Sequence, residues 1–346
     1  MLYLTCNTER SGSPVFANLI SRSRHKTSGM KSKIWSRILG YGFLSLLGVV
    51  ACVVFYIVLF MPHIPVNRAI KAEPTPERIE RGRYLANHVM VCVDCHSTRD
   101  WSRFSGPMAA GTEGKGGEIF DEKMGFPGHF RAPNITPFAL KEWSDAEIYR
   151  AITSGVSRDG HPMFPIMPYP AYSTLGTEDI LSVIAYLRTL TPLDNTPPRS
   201  TPTFPMNIVL HLMPVDAAPQ TIPPAGDTVA YGEYLVKAAG CIECHTPAEH
   251  GQIVKSQAFS GGREFLMPDG SRFLSANITP SMEKGIGKWS EEAFITRFRT
   301  YNPATFNPPV LQPGEKQTIM PWTMYAGMDT ADLKAMYRYL RTVKAK

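Results

Sequence analysis

"VCVDCHSTRD" (residues 91–100) and "GCIECHTPAE" (residues 240–249) carry one cluster twice. Cys92, Cys95 and His96 form the first copy, and Cys241, Cys244 and His245 the second. Paired cysteines in an exported chain ordinarily mean disulfides. A His directly after the second Cys makes that a poorer reading. Four Cys and two His could serve zinc, but zinc sites rarely need His at that position. A thioredoxin-like redox pair would sit near a βαβ pattern, and none is legible here.

Cys-x-x-Cys-His is the attachment pattern of c-type haem. Two thiols two residues apart can add to the two vinyl groups on one porphyrin edge. The next residue then offers its imidazole to the iron as the proximal ligand. The residues around each cluster repeat as well. "RGRYLANHVMVCVDCH" (81–96) aligns with "YGEYLVKAAGCIECH" (231–245), and "APNITP" (132–137) with "SANITP" (275–280). "EWSDAEIYRAI" (142–152) aligns with "KWSEEAFITRF" (288–298). "MPYPAYSTLGTEDILSVIAYLRTL" (167–190) aligns with "MPWTMYAGMDTADLKAMYRYLRTV" (320–343). Four blocks in one order indicate a duplicated unit, each copy built around one haem.

The face of the iron opposite the His is closed by Met or His in electron-transfer sites, and a thioether raises the potential. The repeat supplies Met167 in "PIMPY" and Met320 in "TIMPW". The Pro after each Met stiffens the loop. The bland alternative is that each Met packs as core. Met163, Met324 and Met328 lie nearby without aligning between copies. His88 and His161 are rival ligands in the first copy. Neither has a counterpart in the second, so both are read as structural.

The chain's net charge of +6 has one source. Residues 1–61 hold Arg10, Arg22, Arg24, Lys26, Lys31, Lys33 and Arg37 against Glu9, and the remaining 29 basic and 29 acidic residues cancel. A neutral folded part lacks the positive surface that nucleic acid requires. The basic segment runs into 24 uncharged residues, Ile38 to Met61. As a helix these would cover about 36 Å, enough to cross a bilayer with some tilt. The stretch is longer than a signal-peptide core and ends in bulky residues, which indicates an uncleaved anchor. The basic flank places residues 1–37 in the cytoplasm. Residues 1–29 read as disordered, with Met30 an alternative start. Cys6 and Cys52 read as bystanders.

The expected organisation is a basic tail (1–37), a transmembrane anchor (38–61), a first haem domain (73–190), a Pro-rich linker (191–226) and a second haem domain (227–346). Thr75-Pro76 predicts an N-cap with Pro in the first turn. Ile180, Leu181, Ile184 and Leu187, and likewise Leu333, Met336, Tyr337 and Leu340, show the spacing of a helix with one buried face. Gly82 and Gly232 would let the last helix approach the first, with Tyr186 and Tyr339 packing beside them. Nine prolines between Pro192 and Pro224 argue against regular structure in the linker, whose apolar "FPMNIVLHLM" suits it to lie across the first domain.

Together these residues resemble a membrane-anchored dihaem member of the class I cytochrome c family. The blocks "APNITP", "GIGKWSEEAF" and "IMPYPAY" are similar to the cytochrome c subunits that accept electrons from periplasmic alcohol, gluconate and aldehyde dehydrogenases. Those subunits typically carry three haem domains; this chain has two motifs. The resemblance implies a mostly α fold with two tandem cytochrome c domains after one N-terminal transmembrane helix. It implies two covalent haems held by Cys92, Cys95, Cys241 and Cys244, with iron ligands His96, Met167, His245 and Met320. It implies electron relay rather than catalysis. The donor would be a periplasmic dehydrogenase or quinol. The acceptor side would be the quinone pool, an oxidase or a soluble cytochrome, met at the inner membrane with the haem domains in the periplasm. A dihaem peroxidase carries two such motifs but needs one open iron. A haem-bearing oxidase subunit has smaller, more tightly spaced domains.

Overall fold

The computed structural model describes residues 15–249, 251–267, 270–312 and 314–346, with side chains from Lys33 onward. The first helix, α1, runs over Val15–Phe60. Its segment Lys33–Phe60 contains an 18-residue window of mean hydropathy 2.8 and is long and apolar enough to cross a membrane. Residues 15–29 are therefore helical, not disordered as expected. No proline interrupts residues 15–37. Extending an established helix costs far less than nucleating one. Pro62 and Pro65 lie just beyond its end, where the missing amide and the ring halt a helix. Residues 1–14, Cys6 among them, lie outside the described residues.

The rest of the chain, from Phe60 to Lys346, is one compact unit. Its first repeat opens with α2 (Pro76–Tyr84), capped by Thr75, whose Oγ1 accepts from Arg78 N at 3.3 Å. Helix α3 (Cys92–Cys95) carries the first cysteine pair. Then come α4 (Pro137–Leu140), α5 (Asp145–Ser154), α6 (Tyr169–Tyr172) and α7 (Thr177–Leu187). A short α8 (Met206–Val209) lies between the repeats. The second repeat holds α9 (Thr228–Ala238), α10 (Cys241–Cys244), α11 (Glu291–Arg299), α12 (Trp322–Tyr325) and α13 (Thr330–Thr342). Aligned sequence blocks thus form matching elements in the same order. Strands are two to four residues long, the largest sheet being Ile119–Phe120, Gly128–Arg131 and Thr201–Pro202, all antiparallel.

The repeats differ by one residue before the cluster: eight positions separate Tyr84 from Cys92, and seven separate Tyr234 from Cys241. The extra residue is absorbed as a π-helical turn, Leu85–Val89. This wider turn carries His88, whose Nδ1 meets Met324 O at 2.9 Å in the second repeat.

In each repeat the first helix crosses the last at a glycine. A Cβ on Gly82 would lie 1.8 Å from Ser182 O and 2.9 Å from Tyr186 Cβ. One on Gly232 would lie 2.0 Å from Ala335 O and 3.0 Å from Tyr339 Cβ. Both expected close approaches are present. Helix α7 is buried from Asp179 through Leu187 rather than on one face. The chain between the repeats packs on the turn that leads into it: Ala218 N donates to Ser173 O at 2.8 Å, Gln220 N to Thr174 O at 3.2 Å, and Ile222 lies against Gly176. That segment follows the first repeat, as expected, although it also forms α8 and one strand.

Two equivalent tyrosine contacts are among those that join the repeats. Tyr84 Oη donates to Asp332 Oδ2 at 2.7 Å and accepts from Asp329 N at 3.0 Å. Tyr234 Oη donates to Asp179 Oδ2 at 2.7 Å and accepts from Gly176 N at 3.2 Å. Tyr84 and Tyr234 align, as do Asp179 and Asp332, so each first helix reaches the opposite repeat's last helix in the same way. Burial, reinforced by the facing carboxylate, pushes both phenols far above their ordinary pKa. Asp179 also takes a two-point contact from Arg81, Nε to Oδ1 and Nη2 to Oδ2, each 2.9 Å. Asp179→Ala leaves both partners unsatisfied and is expected to cost about 3 kcal/mol. Chemical denaturation measures this, and additivity with Tyr234→Phe would show that the two groups do not interact.

Candidate functional site

Each cluster occupies one helical turn entered through a left-handed residue, Val91 at φ 47° and Gly240 at φ 64°. The turn closes on the histidine, whose amide donates to the first cysteine's carbonyl: His96 N to Cys92 O at 3.0 Å and His245 N to Cys241 O at 2.9 Å. The four cysteines are free and half-buried. Burial pushes Cys92, Cys95 and Cys241 up to about 12, and raises Cys244 against the opposing pull of Arg263. The groups present are therefore neutral thiols, the form that adds to a vinyl group.

The two imidazoles have the same partner. His96 Nδ1–H donates to Pro133 O at 2.8 Å, and His245 Nδ1–H to Ala276 O at 2.7 Å. These carbonyls are aligned positions in "APNITP" and "SANITP". The bond fixes ring orientation and leaves Nε2 as the free lone pair, which is how a metal-binding imidazole is held. Burial holds both imidazoles below their ordinary pKa, the carbonyl bond opposing, so they are neutral as ligation demands.

The carbonyls are themselves held in place. Asn134 Oδ1 accepts from Thr136 N and Oγ1, both at 2.8 Å; Asn277 Oδ1 accepts from Thr279 N at 2.8 Å and Oγ1 at 2.7 Å. Gly116 N donates to His96 O at 2.7 Å, and Gly261 N to His245 O at 2.8 Å. Residue-by-residue reading of the sequence did not assign the Pro133 and Ala276 carbonyls a role. The signal was the recurrence of the block itself.

Met167 and Met320 sit in matching loops. Pro168 has φ −78° and ψ 48°, and Pro321 has φ −80° and ψ 65°. Across each proline, Tyr169 N donates to Met167 O at 2.7 Å and Trp322 N to Met320 O at 2.8 Å. Both methionines are half-buried at the edge of the apolar core. Met324 and Met328 are buried within it, which suits the role of packing. His88 is engaged with Met324 O, while His161 is exposed beside Asp159 at 3.2 Å. The structural reading of both thus matches their surroundings. Among the described residues, no three His, Cys, Asp or Glu side chains converge as a metal-binding group.

Residues 229–344 match the cytochrome c family. The second repeat is similar to a cytochrome c domain. Cytochrome c domains carry haem c covalently, and the neutral thiols and the free imidazole nitrogen of the second repeat fit that group.

The match to known proteins extends well beyond this cytochrome c segment. The chain is 29% identical over 296 residues to the fructose dehydrogenase cytochrome subunit of Gluconobacter japonicus, covering 81% of this chain and 56% of that protein. It is 28% identical over 286 residues to the cytochrome c subunit of the quinone alcohol dehydrogenase of Gluconacetobacter polyoxogenes, covering 77% and 56%. It is 30% identical over 200 residues to a diheme cytochrome c-type protein of Cereibacter sphaeroides, covering 55% and 64%. The chain spans a little over half the length of the first two.

Proposed function

We propose that the chain is a membrane-anchored electron relay with two covalent haem c groups, one per repeat. Cys92 and Cys95 attach the first, with His96 and Met167 as iron ligands. Cys241 and Cys244 attach the second, with His245 and Met320. The observation that carries this reading is the duplicated imidazole–carbonyl bond on aligned residues, beside two Met–Pro loops of matching backbone. Residues 73–190 and 227–346 are then tandem cytochrome c domains joined by 191–226.

Each bound haem supplies one-electron exchange at its iron. The chain's own work is to orient and exclude. Pro133 and Ala276 hold the imidazoles with Nε2 free to bind the iron. Met167 and Met320 would supply the second ligands and exclude water and small ligands. Tyr84, Tyr234, Asp179 and Asp332 fix one repeat against the other, so that the spacing for electron tunnelling stays constant. The named relatives supply the partner class. The donor side is a dehydrogenase subunit, and the acceptor side is a quinone, an oxidase or another cytochrome. Helix α1 keeps the relay at the inner membrane, with its basic end cytoplasmic and both haems in the periplasm.

An optical spectrum of the purified full-length chain, with a pyridine haemochrome count, tests the reading. The expected result is two covalent haems, a Met–iron band near about 695 nm when oxidised, and no carbon monoxide binding. A high-spin haem that binds carbon monoxide or reacts with peroxide would replace relay with peroxidase-type chemistry.

A further inference from the structure

The two methionine loops are alike in backbone but not in support. Among the described residues, Met167 O accepts from Tyr169 N alone. Met320 O accepts a second bond, from Ser105 Oγ at 2.6 Å, and the same hydroxyl accepts from Trp322 N at 3.2 Å. Ser105 belongs to the first repeat. One first-repeat side chain therefore grips both ends of the Met320-Pro321-Trp322 segment of the second.

The contact is built rather than incidental. Ser105 is 1% exposed and held at φ 68°, a left-handed conformation uncommon for serine. Its amide donates to Gln317 Oε1 at 2.8 Å, and Gln317 Nε2 donates back to Trp101 O at 3.2 Å and Arg103 O at 2.9 Å. Phe104 N donates to Pro309 O and Leu311 N to Ser102 O, both at 2.9 Å. The Phe104 ring stacks on Tyr301 with centroids 5.8 Å apart. On the first-repeat side, buried Arg99 donates from Nη2 to Ser105 O and from Nε to Gly106 O, both at 2.9 Å. Arg99 also pairs with Asp94 at 3.3 Å, and Asp94 lies between Cys92 and Cys95. A continuous chain of contacts thus links the first attachment turn to the backbone of the second methionine.

We propose that Ser105 is a positioning residue for the Met320 thioether, so that closure of the second iron depends on the first repeat. The inference rests on the reading of Met320 as an axial ligand. Methionine has three rotatable side-chain bonds and specifies its own position weakly. The placement of its sulfur therefore depends on how firmly its backbone is held. The first repeat's Met167 lacks this grip, so the two irons should exchange their thioethers unequally.

The test uses the full-length holoprotein and imidazole as the competing ligand. Each axial Met gives its own shifted methyl resonance, and the loss of each is titrated separately. Met320→Ala assigns the second-repeat signal. Ser105→Ala and Ser105→Gly are each expected to tighten imidazole binding at that iron by about fivefold, the equilibrium equivalent of about one hydrogen bond. The Met167 signal should keep its wild-type titration. Ser105→Gly relieves the left-handed backbone and Ser105→Ala does not. Their thermal stabilities should therefore differ while their imidazole affinities agree. Unchanged imidazole affinity in both variants overturns the proposal. So does an equal change at both irons, which would mark a general structural role. If Met320→Ala leaves both methyl signals in place, the ligand reading beneath the proposal fails instead.

Discussion

Gly232→Ala is expected to unfold the second repeat. The added Cβ would lie 2.0 Å from Ala335 O, a backbone atom of α13 that cannot rotate away. Alanine gains about 1 kcal/mol of helix propensity over glycine. That gain is small beside the cost of forcing two helices apart along their whole crossing. Leu235 and Leu333 are fully buried on the two helices, and Ala335 and Met336 are nearly so. A shift of the order of an ångström loosens all of them together, because dispersion contacts decay steeply with distance. We expect a net loss of about 3–5 kcal/mol, the range of severe core disruption. Gly82→Ala should do the same to the first repeat, where the overlap with Ser182 O is closer still. Thermal denaturation of the holoprotein checks both variants. A midpoint within a degree or two of wild type would show that the helices can separate cheaply.

These two glycines were legible in the sequence because they recur at aligned positions with aligned tyrosines. The two cysteine turns were legible for a different reason: the spacing of two thiols and an imidazole is local, and no tertiary context alters it. Met167 and Met320 were singled out by alignment, and the structure gives them a common backbone. What could not be read were contacts whose partners are distant in the chain. Tyr84 and Asp332 are 248 positions apart. Asp179 reads in sequence as an ordinary first-turn acid, yet it receives Arg81 and Tyr234 together. Ser105 carries no sequence signal at all, since its role depends on a left-handed backbone and a loop from the other repeat. Helix α1 exceeds its sequence-based bounds for a local reason. Hydropathy marks where a membrane segment lies, but only a helix breaker marks where the helix stops.

Cys244→Ala is expected to remove or weaken haem attachment in the second repeat and leave the first intact. The physical ground is the independence of the two turns. Cys92–Cys95 and Cys241–Cys244 are separate helices with separate imidazole anchors, at Pro133 O and Ala276 O. Removing one thiol leaves Cys241 able to make a single thioether, so attachment should fall in yield. Removing both, as Cys241→Ala with Cys244→Ala, should abolish it and bring the haemochrome count from two to about one per chain. The fold should respond on the same side. Met320 and Trp322 pack at the edge of the second repeat's core, and without a porphyrin beside them that edge loses contact area. Limited proteolysis should therefore cut within 227–346 before 73–190. The Tyr84–Asp332 bond crosses between the repeats, so a modest weakening of the first is expected as well. Two full covalent haems in the double variant would show that the second cluster is not an attachment site. Loss of both haems would show that the repeats mature as one unit rather than two.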